Sequence, residues 1–332
     1  MNELNLNIKY NISTEMEESI KRIETKLNKL SVPTSVKKKN LLLKSKVRSV
    51  ASSLAIENID VSKTNIEEID KGNKVIEDKN NIIAVKNALY LYNHIEEFNY
   101  LKEEDLLKAH MILMKYFEDD NGSYRKHGEG VKKGNKLIYV APDSIIVPSL
   151  MKDLFSFMNE NKELNPIVLA SIFHYYLVFI HPFTDGNGRL ARFWTSLILK
   201  KYNSLFMYIP FEEELYEEQE NYFNAISESH NNTNCNKFIE FMIHIIETTI
   251  DNILTTQKTT QKLNNNELLI LKYIKEDKFI TRNELADKLS ITPDGVKYNL
   301  NKLKKLNIIK RKGSDRNGYY EIIDENYNDD IL

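Results

Sequence analysis

A twelve-residue segment, residues 181–192, carries the side chains best suited to chemistry. It reads His-Pro-Phe-Thr-Asp-Gly-Asn-Gly-Arg-Leu-Ala-Arg. A base, a carboxylate, a small-residue loop and two guanidinium groups are together what a phosphate-transfer site requires. The segment separates two strongly apolar stretches, residues 172–180 and 193–199. A polar, glycine-containing turn between two buried elements therefore predicts a site that binds phosphate groups.

Each group in this segment suits a distinct part of that chemistry. Residues 185–188, Asp-Gly-Asn-Gly, precede an apolar helix, so their backbone N–H groups and the helix dipole can converge on an anion. Arg189 and Arg192 lie at the helix start, and each can bind phosphate oxygens in a bidentate fork. Asp185 supplies a hard oxygen ligand for Mg²⁺. His181 has an ordinary pKa of about 6.5 and suits the removal of a hydroxyl proton.

The composition is that of an ordinary soluble globular protein. The 332 residues are 42% apolar and 28% charged, with a formal net charge of −2, so any nucleic-acid or membrane attraction must be local. A single cysteine, Cys235, excludes disulfides within the chain. The N-terminus lacks the pattern of a secretory signal, and no apolar run approaches the roughly 20 residues of a membrane helix. We therefore expect a cytoplasmic protein without membrane contact.

The elements that must position the segment are helices. Only 10 glycines and 7 prolines occur, and apolar residues recur at helical spacing. Helices are predicted over residues 16–30, 38–56, 82–98, 102–117, 149–159, 166–180, 188–202, 213–229 and 235–255. Residues 131–140 are the hairpin candidate among them, with Gly134-Asn135 at the turn. The predicted fold class is mainly α with a small β-hairpin.

A second, smaller domain is predicted after a polar stretch. Residues 255–266 lack an apolar period and indicate a linker. The elements beyond it are a helix over residues 267–275, a helix opened by a capping box at Thr281–Glu284, a helix from Thr292-Pro293 to about Leu306, and a hairpin of residues 308–312 and 319–323. Three helices and a hairpin in about 60 residues are typical of a winged helix-turn-helix domain.

Basic residues of this second domain indicate one use for it. Between residues 292 and 316 there are eight basic and two acidic residues. The basic ones are Lys297, Lys302, Lys304, Lys305, Lys310, Arg311, Lys312 and Arg316. Such a local patch favours a nucleic-acid backbone. Winged helices also serve as protein-docking or dimerisation modules, so DNA and protein both stay open as partners.

The segment at 181–192 resembles the motif of Fic-domain proteins, His-x-Phe-x-Asp-Gly-Asn-Gly-Arg-x-x-Arg, and fills every specified position. The resemblance extends over about residues 46–250. It implies a helical Fic fold and transfer of AMP from ATP to a Ser, Thr or Tyr hydroxyl of a protein, the chain itself included. Related proteins often form homodimers, and the sequence leaves the oligomeric state and the physiological target undetermined.

The resemblance implies a role for each position of the motif. His181 deprotonates the hydroxyl, Asp185 holds Mg²⁺, and Phe183 anchors the loop in the core. The ATP phosphates are then bound by Gly186, Asn187, Gly188, Arg189 and Arg192. A branch of the family that phosphorylates its target has lysine in place of the second glycine of this loop. Gly188 therefore favours adenylyl transfer.

Two further segments resemble parts of the family that bind substrates. Residues 122–125 and 131–142 look like the flap, a hairpin that docks the target protein by strand addition. The flap residues predicted to border the adenosine are Lys136, Leu137, Ile138 and Tyr139. Tyr222-Phe223 looks like the aromatic pair beside adenine, and His230 stands where relatives often have an asparagine near the ribose. The alternatives are an ordinary surface hairpin and ordinary core aromatics.

Residues 53–58, Ser-Leu-Ala-Ile-Glu-Asn, match the family's inhibitory pattern, Ser/Thr-x-x-x-Glu-Gly/Asn, in its N-terminal position. Glu57 is expected to pair with Arg192 and to take the guanidinium that the γ-phosphate needs, with Ser53 one turn earlier helping to hold the carboxylate. A misalignment of the α-phosphate near 1 Å costs about a hundredfold in rate. The alternative is a glutamate that merely ends an amphipathic helix. In some relatives this glutamate also orients a water that removes AMP.

These observations predict a definite organisation. It comprises an N-terminal helical region (1–45), a Fic domain (46–254) with an inhibitory helix at about 46–58 and a flap at about 131–142, a linker (255–266), a winged helix-turn-helix domain (267–325) and an acidic tail (326–332). The favoured function is an autoinhibited protein adenylyltransferase that uses ATP and Mg²⁺. The alternative is a DNA-binding transcriptional regulator whose Fic domain senses a nucleotide or a partner.

Overall fold

The computed structural model describes residues 6–31, 36–133, 136–261, 263–313 and 318–323. The chain forms two compact units, one of residues 1–28 with 32–250 and one of residues 29–31 with 251–332. In the described part of the chain, no helix is both long and apolar enough to cross a bilayer.

Helices with short connections build the first unit. They are α1 (Thr14–Leu27), α2 (Val36–Ala55), α3 (Lys63–Asp70), α4 (Lys79–Asn93), α5 (Glu103–Leu113), α6 (Val147–Glu160), α7 (Pro166–Ile180), α8 (Asn187–Tyr202), α9 (Phe211–Glu217), α10 (Gln219–Asn231) and α11 (Asn236–Gln261), of which the residues up to Ile250 belong to this unit, with 3-10 turns at Ile95–Glu97 and Ser204–Tyr208. The mainly α prediction is confirmed. Helix α3 was not predicted, and the helix expected over 213–229 is broken at Glu218, where the next residue, Gln219, donates to the carbonyl of Ile56.

Helix α7 is the centre of this unit. Twelve of its fifteen residues are buried, as expected of a helix that is apolar on every face. Asn165 caps its start by accepting from the N–H of Ile167, and Pro166 occupies the first turn. The helix packs most extensively against α8, which follows it directly in the chain. The connection between these two buried helices is residues 181–186.

Helix α2 lies against α4, α8 and α9. Arg48 of α2 and Lys63 of α3 both form ion pairs with Glu213 of α9. Ser49 donates at 2.7 Å to the fully buried carboxylate of Glu212, also on α9. These polar contacts determine the position in which the C-terminal end of α2 meets α8.

The predicted hairpin is present as β1 (Gly130–Lys133) and β2 (Lys136–Val140). The strands are antiparallel, with Gly130 opposite Val140 and an irregularity between Val131 and Lys132. The expected turn, Gly134-Asn135, lies outside the described residues.

The second unit has the expected order of elements. These are α12 (Asn265–Glu276), α13 (Arg282–Leu289), α14 (Pro293–Lys305), β3 (Ile309–Lys312) and β4 (Tyr319–Ile322). The strands pair antiparallel, and buried aliphatic residues of all three helices pack against Ile309 and Tyr320. The capping box at Thr281 and the N-cap at Thr292 are both formed. The expected acidic tail lies outside the described residues.

The linker predicted over residues 255–266 is wrong in its extent. Helix α11 continues to Gln261, so much of this polar stretch is helical. Thr256 belongs to it and donates its hydroxyl to the carbonyl of Asn252, one turn earlier. Once the apolar residues before 255 have nucleated a helix, each further residue adds a hydrogen bond at little cost, and no apolar period is needed.

Candidate active site

Backbone geometry forms the turn between α7 and α8. His181 ends α7 in the left-handed conformation, with φ of 50°, and Gly186 precedes α8 with φ of 81°. A Cβ on Gly186 would lie 2.7 Å from the sulfur of Met114, so glycine is required there by both conformation and space. The main chain of the turn therefore lies close to Met114 at Gly186, while His181 stands at the beginning of the turn.

Phe183 and Asn187 hold the loop in place. Phe183 is fully buried, as an anchor of the loop must be, and its ring stacks on His110 with centroids 3.7 Å apart. The amide of Asn187 binds the backbone of Phe183 twice, accepting from its N–H at 3.0 Å and donating to its carbonyl at 2.8 Å. The side chain of Asn187 is thus engaged within the loop, and its backbone N–H is the group that it can offer to a phosphate.

His110 on α5 is a second support of the loop. Its Nδ1 accepts from the N–H of Gly122 at 2.9 Å, so its Nε2 carries the proton and donates to the carbonyl of Asp185 at 3.0 Å. Burial lowers the pKa of His110 to about 4, which keeps the ring neutral. His110 and the buried His174 are core histidines with both ring nitrogens hydrogen-bonded, whereas the side chain of His244 is 58% exposed beside Glu218.

The start of α8 presents hydrogen-bond donors without a side-chain cap. Gly186 at the N-cap has no side chain to accept from the first N–H groups of the helix, which have no intrahelical partners. Among the described residues, two buried side-chain nitrogens lack a hydrogen-bond partner, Nδ1 of His181 and Nε of Arg189. Both belong to the twelve-residue motif. The unpaired Nε of Arg189 lies in the first turn of α8, beside the uncapped N–H groups, and this arrangement indicates that a ligand completes the site.

His181 has the properties of a general base. Burial lowers its pKa below the ordinary value, with the nearby charges of Glu129 and Arg125 acting in opposite directions. At neutral pH the imidazole is therefore uncharged and able to accept a proton.

Arg125 supports the site, a role that its predicted place in the flap-like segment 122–125 did not indicate. It is 2% exposed, and its guanidinium donates to the carbonyls of His127 and His181 at 2.7 Å and of Pro142 at 2.5 Å. It thereby joins the base of the hairpin to the end of α7, where a cation also meets the negative end of the helix dipole. The available signal was an arginine just before a hairpin, whereas the three carbonyl groups that it binds come together only in the fold.

Glu57 lies against the start of α8. Its Oε1 accepts from a terminal nitrogen of Arg192 at 2.8 Å, and Arg192 also donates to the hydroxyl and carbonyl oxygens of Ser53 at 2.9 and 2.8 Å. A Cβ on Gly188 would be 2.5 Å from that same carboxylate oxygen. Arg192 is entirely buried, and burial opposes its charge, yet Glu57 together with Tyr222 and Tyr92 raises the guanidinium pKa. A carboxylate thus occupies a position at the N-terminus of α8 that suits an anion.

The local chain explains the Glu-Asn pair of residues 57–58. Helix α2 ends at Ala55, and Asn58 adopts the left-handed conformation with φ of 60°. The N–H of Ile59 then donates back to the carbonyl of Leu54 at 3.0 Å. Glycine and asparagine tolerate this conformation best, and it reverses the chain just after the glutamate. The Glu-Asn pattern therefore places Glu57 just after the C-terminal end of α2, next to the start of α8.

The predicted adenosine-binding residues lie on two elements, β2 and α10. Lys136, Leu137 and Ile138 form β2, and their side chains lie outside the described part. The hydroxyl of Tyr139 donates to the carbonyl of Phe179 at 2.5 Å, and its ring packs against the exposed His230. Tyr222 is buried, and its hydroxyl lies 2.9 Å from the imidazole of His174. Phe223, 48% exposed, is the accessible member of the aromatic pair, and the adenine contact of Tyr222 stays a prediction.

Asp185 has the character of a magnesium ligand that depends on phosphate. Its side chain is 56% exposed, one oxygen accepts from the N–H of Gly186, and the other pairs with Arg189 at 2.7 Å. Burial and these donors act in opposite directions, and the donors lower its pKa. No group of three His, Cys, Asp or Glu side chains forms a metal cluster within the described ranges. A single carboxylate beside an anion site fits Mg²⁺, which takes few protein ligands and completes its shell with phosphate and water.

Comparison with known proteins identifies both units. Residues 100–199 match the model of the Fic/DOC family, and residues 263–310 match that of the winged helix-turn-helix DNA-binding family. The chain therefore carries a Fic/DOC-family domain and a winged helix-turn-helix domain, which confirms the resemblance found at residues 181–192.

One extensive similarity is to a solved structure. A Fic family protein from Desulfovibrio desulfuricans is 28% identical, with a TM-score of 0.70 over 96% of this chain and 98% of that one. The protein adenylyltransferase Fic of Nematostella vectensis is 26% identical over 259 residues, 72% of this chain and 56% of the relative. The protein adenylyltransferase fic-1 of Caenorhabditis elegans is 32% identical over 133 residues, 39% of this chain and 25% of the relative. The chain thus spans only a quarter to about half of these curated relatives.

Proposed function

We propose that this protein is an autoinhibited protein adenylyltransferase, which transfers AMP from ATP to a hydroxyl group of a protein. The observation that carries the proposal is the joining, in one loop, of a neutral buried imidazole and an uncapped helix start with two arginines. Similarity to relatives named protein adenylyltransferases supports the same reaction.

In this mechanism the helix start binds the phosphates and His181 handles the proton. The backbone N–H groups of Gly188 and its neighbours bind phosphate oxygens, and Arg189 and Arg192 neutralise the outer phosphates. The target hydroxyl oxygen attacks the α-phosphorus, the bond from that phosphorus to the bridging oxygen of the β-phosphate breaks, and pyrophosphate leaves. The hydroxyl proton passes to the imidazole of His181. Mg²⁺, held by Asp185 with phosphate oxygens, would neutralise charge that develops on the phosphates.

The hairpin supplies a docking place for the target in this proposal. Strands β1 and β2 form a two-stranded sheet, so each has an outer edge available for strand addition within the described part of the chain. Val140 at the end of β2 is 67% exposed. Arg125 ties the base of this hairpin to His181, so a docked strand is held at a constant distance from the base.

Glu57 acts as the brake in this proposal. Its carboxylate takes a terminal nitrogen of Arg192 and lies on the backbone of Gly188. An outer phosphate brought to the same place meets a like charge and a guanidinium that is already paired. Productive binding therefore requires that Glu57 moves away from α8.

Isotope position in ATP tests the reaction class. The chain is incubated with Mg²⁺ and ATP labelled either at the α- or at the γ-phosphate, and intact mass is measured in parallel. We expect label from the α-phosphate only, with a mass gain of one AMP, and none with His181→Ala. Asp60→Gly, at an exposed residue after α2, is the matched control. Label from the γ-phosphate would identify phosphorylation instead and refute the proposal.

A second function, DNA binding, is favoured by the surface of the second unit. Lys297, Lys305 and Lys310 are exposed on α14 and β3. The predicted patch is smaller than its sequence count, because Lys302 pairs with the buried Glu267 and Lys312 pairs with Glu321. Arg316 lies outside the described residues. We propose that the exposed lysines contact a phosphate backbone, in agreement with the match to a DNA-binding family.

A further inference from the structure

The contact between α2 and α8, which we call the α2–α8 seam, runs along both helices and has two ends. At one end Glu57 lies on Gly188, and Arg192 binds Ser53 one turn away. Moving away from this end, each following contact involves a residue four positions earlier on α2 and one four positions later on α8, because residues four apart share a helix face. The seam thus continues from Ser53 and Arg192 to Ser49 and Ser196.

A buried carboxyl group joins this second end. Ser49 and Ser196 donate to the two oxygens of Glu212 at 2.7 and 2.6 Å, and Tyr92 of α4 donates to it at 2.8 Å. Glu212 is fully buried, and burial raises its pKa. Three helices therefore depend on one group for their spacing at this point.

A cavity of about 350 Å³ opens directly beside that group. Ser49, Tyr92 and Ser196 belong to its lining, so the cavity touches both sides of the α2–α8 seam. Its volume falls in the range of small-molecule sites, about 300–1,000 Å³. The site is separate from the motif at 181–192, none of whose residues lines it.

The lining combines apolar side chains with an excess of cations. Its apolar residues include Leu42 and Leu43 of α2 together with Phe206 and Ile209. The charged residues of the lining are Lys39, Lys46, Lys200 and Glu96, three cations to one anion.

Two of these ammonium groups are held in place by protein oxygens. Lys200, with a side chain only 5% exposed, lies 2.6 Å from Glu96, and Lys46 lies 2.8 Å from Asp70. An ammonium has three donors, so each can also bind a ligand carboxylate. Their positions are therefore fixed in advance of any ligand, which lowers the cost of binding.

We propose that this cavity binds a small amphipathic anion, an aliphatic or aromatic carboxylate, and that the bound molecule holds α2 against α8. The regulatory part rests on the brake proposed above. Because the ligand touches α2 and α8 at once, it binds the docked arrangement more tightly than the released one, and that difference shifts the equilibrium. Occupancy therefore strengthens the inhibition by Glu57.

Binding is tested on the full chain with three eight-carbon probes, octanoate, octanol and octylammonium, by titration calorimetry. We expect octanoate to bind at least about tenfold more tightly than octylammonium, because cations outnumber anions in the lining. Lys200→Met weakens octanoate about tenfold and leaves octanol unchanged, while Lys237→Met, at an exposed lysine outside the lining, changes neither. Absence of octanoate binding, or equal loss with Lys237→Met, overturns the site.

Filling the cavity provides an independent test. Leu43→Trp and Ile209→Phe place larger side chains in the lining. A variant that keeps the helical circular dichroism and the melting transition of the wild type should no longer bind octanoate or octanol. Retained binding in a folded variant overturns the assignment.

Coupling to the brake is measured as self-labelling with AMP. Octanoate at ten times its Kd lowers the labelling by up to about tenfold, because it stabilises the docked state by mass action. Unchanged or increased labelling at saturation overturns the coupling. If the chain transfers no AMP at all, the proposed function fails, while the calorimetric arms still decide whether the cavity is a ligand site.

Discussion

Removal of the Glu57 carboxylate should release the proposed brake. In the structure this carboxylate forms one charge-assisted hydrogen bond, 2.8 Å long, to a fully buried guanidinium, and its own side chain is 35% exposed. Hydrogen bonds to charged groups contribute about 1.5–3 kcal/mol, and partial exposure places this one at about 2 kcal/mol. Since about 1.4 kcal/mol corresponds to a factor of ten, Glu57→Gly should raise the released population about thirtyfold.

The assay is the initial rate of self-labelling from ATP labelled at the α-phosphate. Glu57→Gly should label about thirtyfold faster than wild type. Ser53→Ala, which removes one neutral acceptor of Arg192, costs about 1 kcal/mol and should give about a fivefold increase. Glu57→Gly should have the larger effect because it removes a hydrogen bond between two charged groups, whereas Ser53→Ala removes a hydrogen bond to a neutral hydroxyl.

Controls separate the brake from general loosening of the chain. Asp60→Gly introduces the same flexibility three residues later, at an exposed position, and should label at the wild-type rate. The double variant Glu57→Gly with His181→Ala should not label. A Glu57→Gly rate within twofold of the wild type, or an equal increase in Asp60→Gly, would refute the reasoning.

Three further predictions concern the base, its support and the second unit. The labelling rate of Glu57→Gly should fall as the pH falls through the lowered pKa of His181, because the protonated imidazole cannot accept the hydroxyl proton. The midpoint of the pH–rate profile should lie below 6.5, and a midpoint at or above 6.5 contradicts this. Arg125→Met leaves buried carbonyls unpaired and should lower the free energy of unfolding by about 3 kcal/mol. Urea unfolding followed by the fluorescence of the single, buried Trp194 measures this loss, and an unchanged unfolding midpoint contradicts it. Lys297→Ala should weaken binding of duplex DNA and reduce its logarithmic salt slope by about 0.9, in fluorescence anisotropy at several salt concentrations, whereas an unchanged slope argues against a phosphate contact.

Burial of the histidines also predicts acid sensitivity. His110 has a pKa of about 4 when folded and about 6.5 when unfolded, so the unfolded chain binds the proton first. Stability is therefore unaffected above pH 6.5 and declines as pH falls from 6.5 towards 4, by up to about 3 kcal/mol from this residue. Urea unfolding at pH 7 and pH 5 measures the loss, and His110→Gln should reduce the difference between them.

Local sequence predicted the helices well where the signals were local. Asn165-Pro166 begins α7 and Thr292-Pro293 begins α14, because caps and first-turn prolines act within a few residues. Prediction failed at residues 255–261, where a polar stretch continues a helix nucleated elsewhere. It also missed the break at Glu218, where the adjacent Gln219 contacts the distant end of α2.

For the site, the sequence alone determined which chemistry is available. The base, the carboxylate, the glycines and the two arginines lie within twelve residues, and a turn followed by a helix brings such neighbours together in almost any fold. Tertiary structure decided how these groups are held and occupied. Arg125 donates to the carbonyl oxygens of His127, Pro142 and His181, and Glu57 reaches Arg192 from 135 positions away. These contacts depend on the packing of helices that are distant in the chain, and no periodicity or local propensity records that packing.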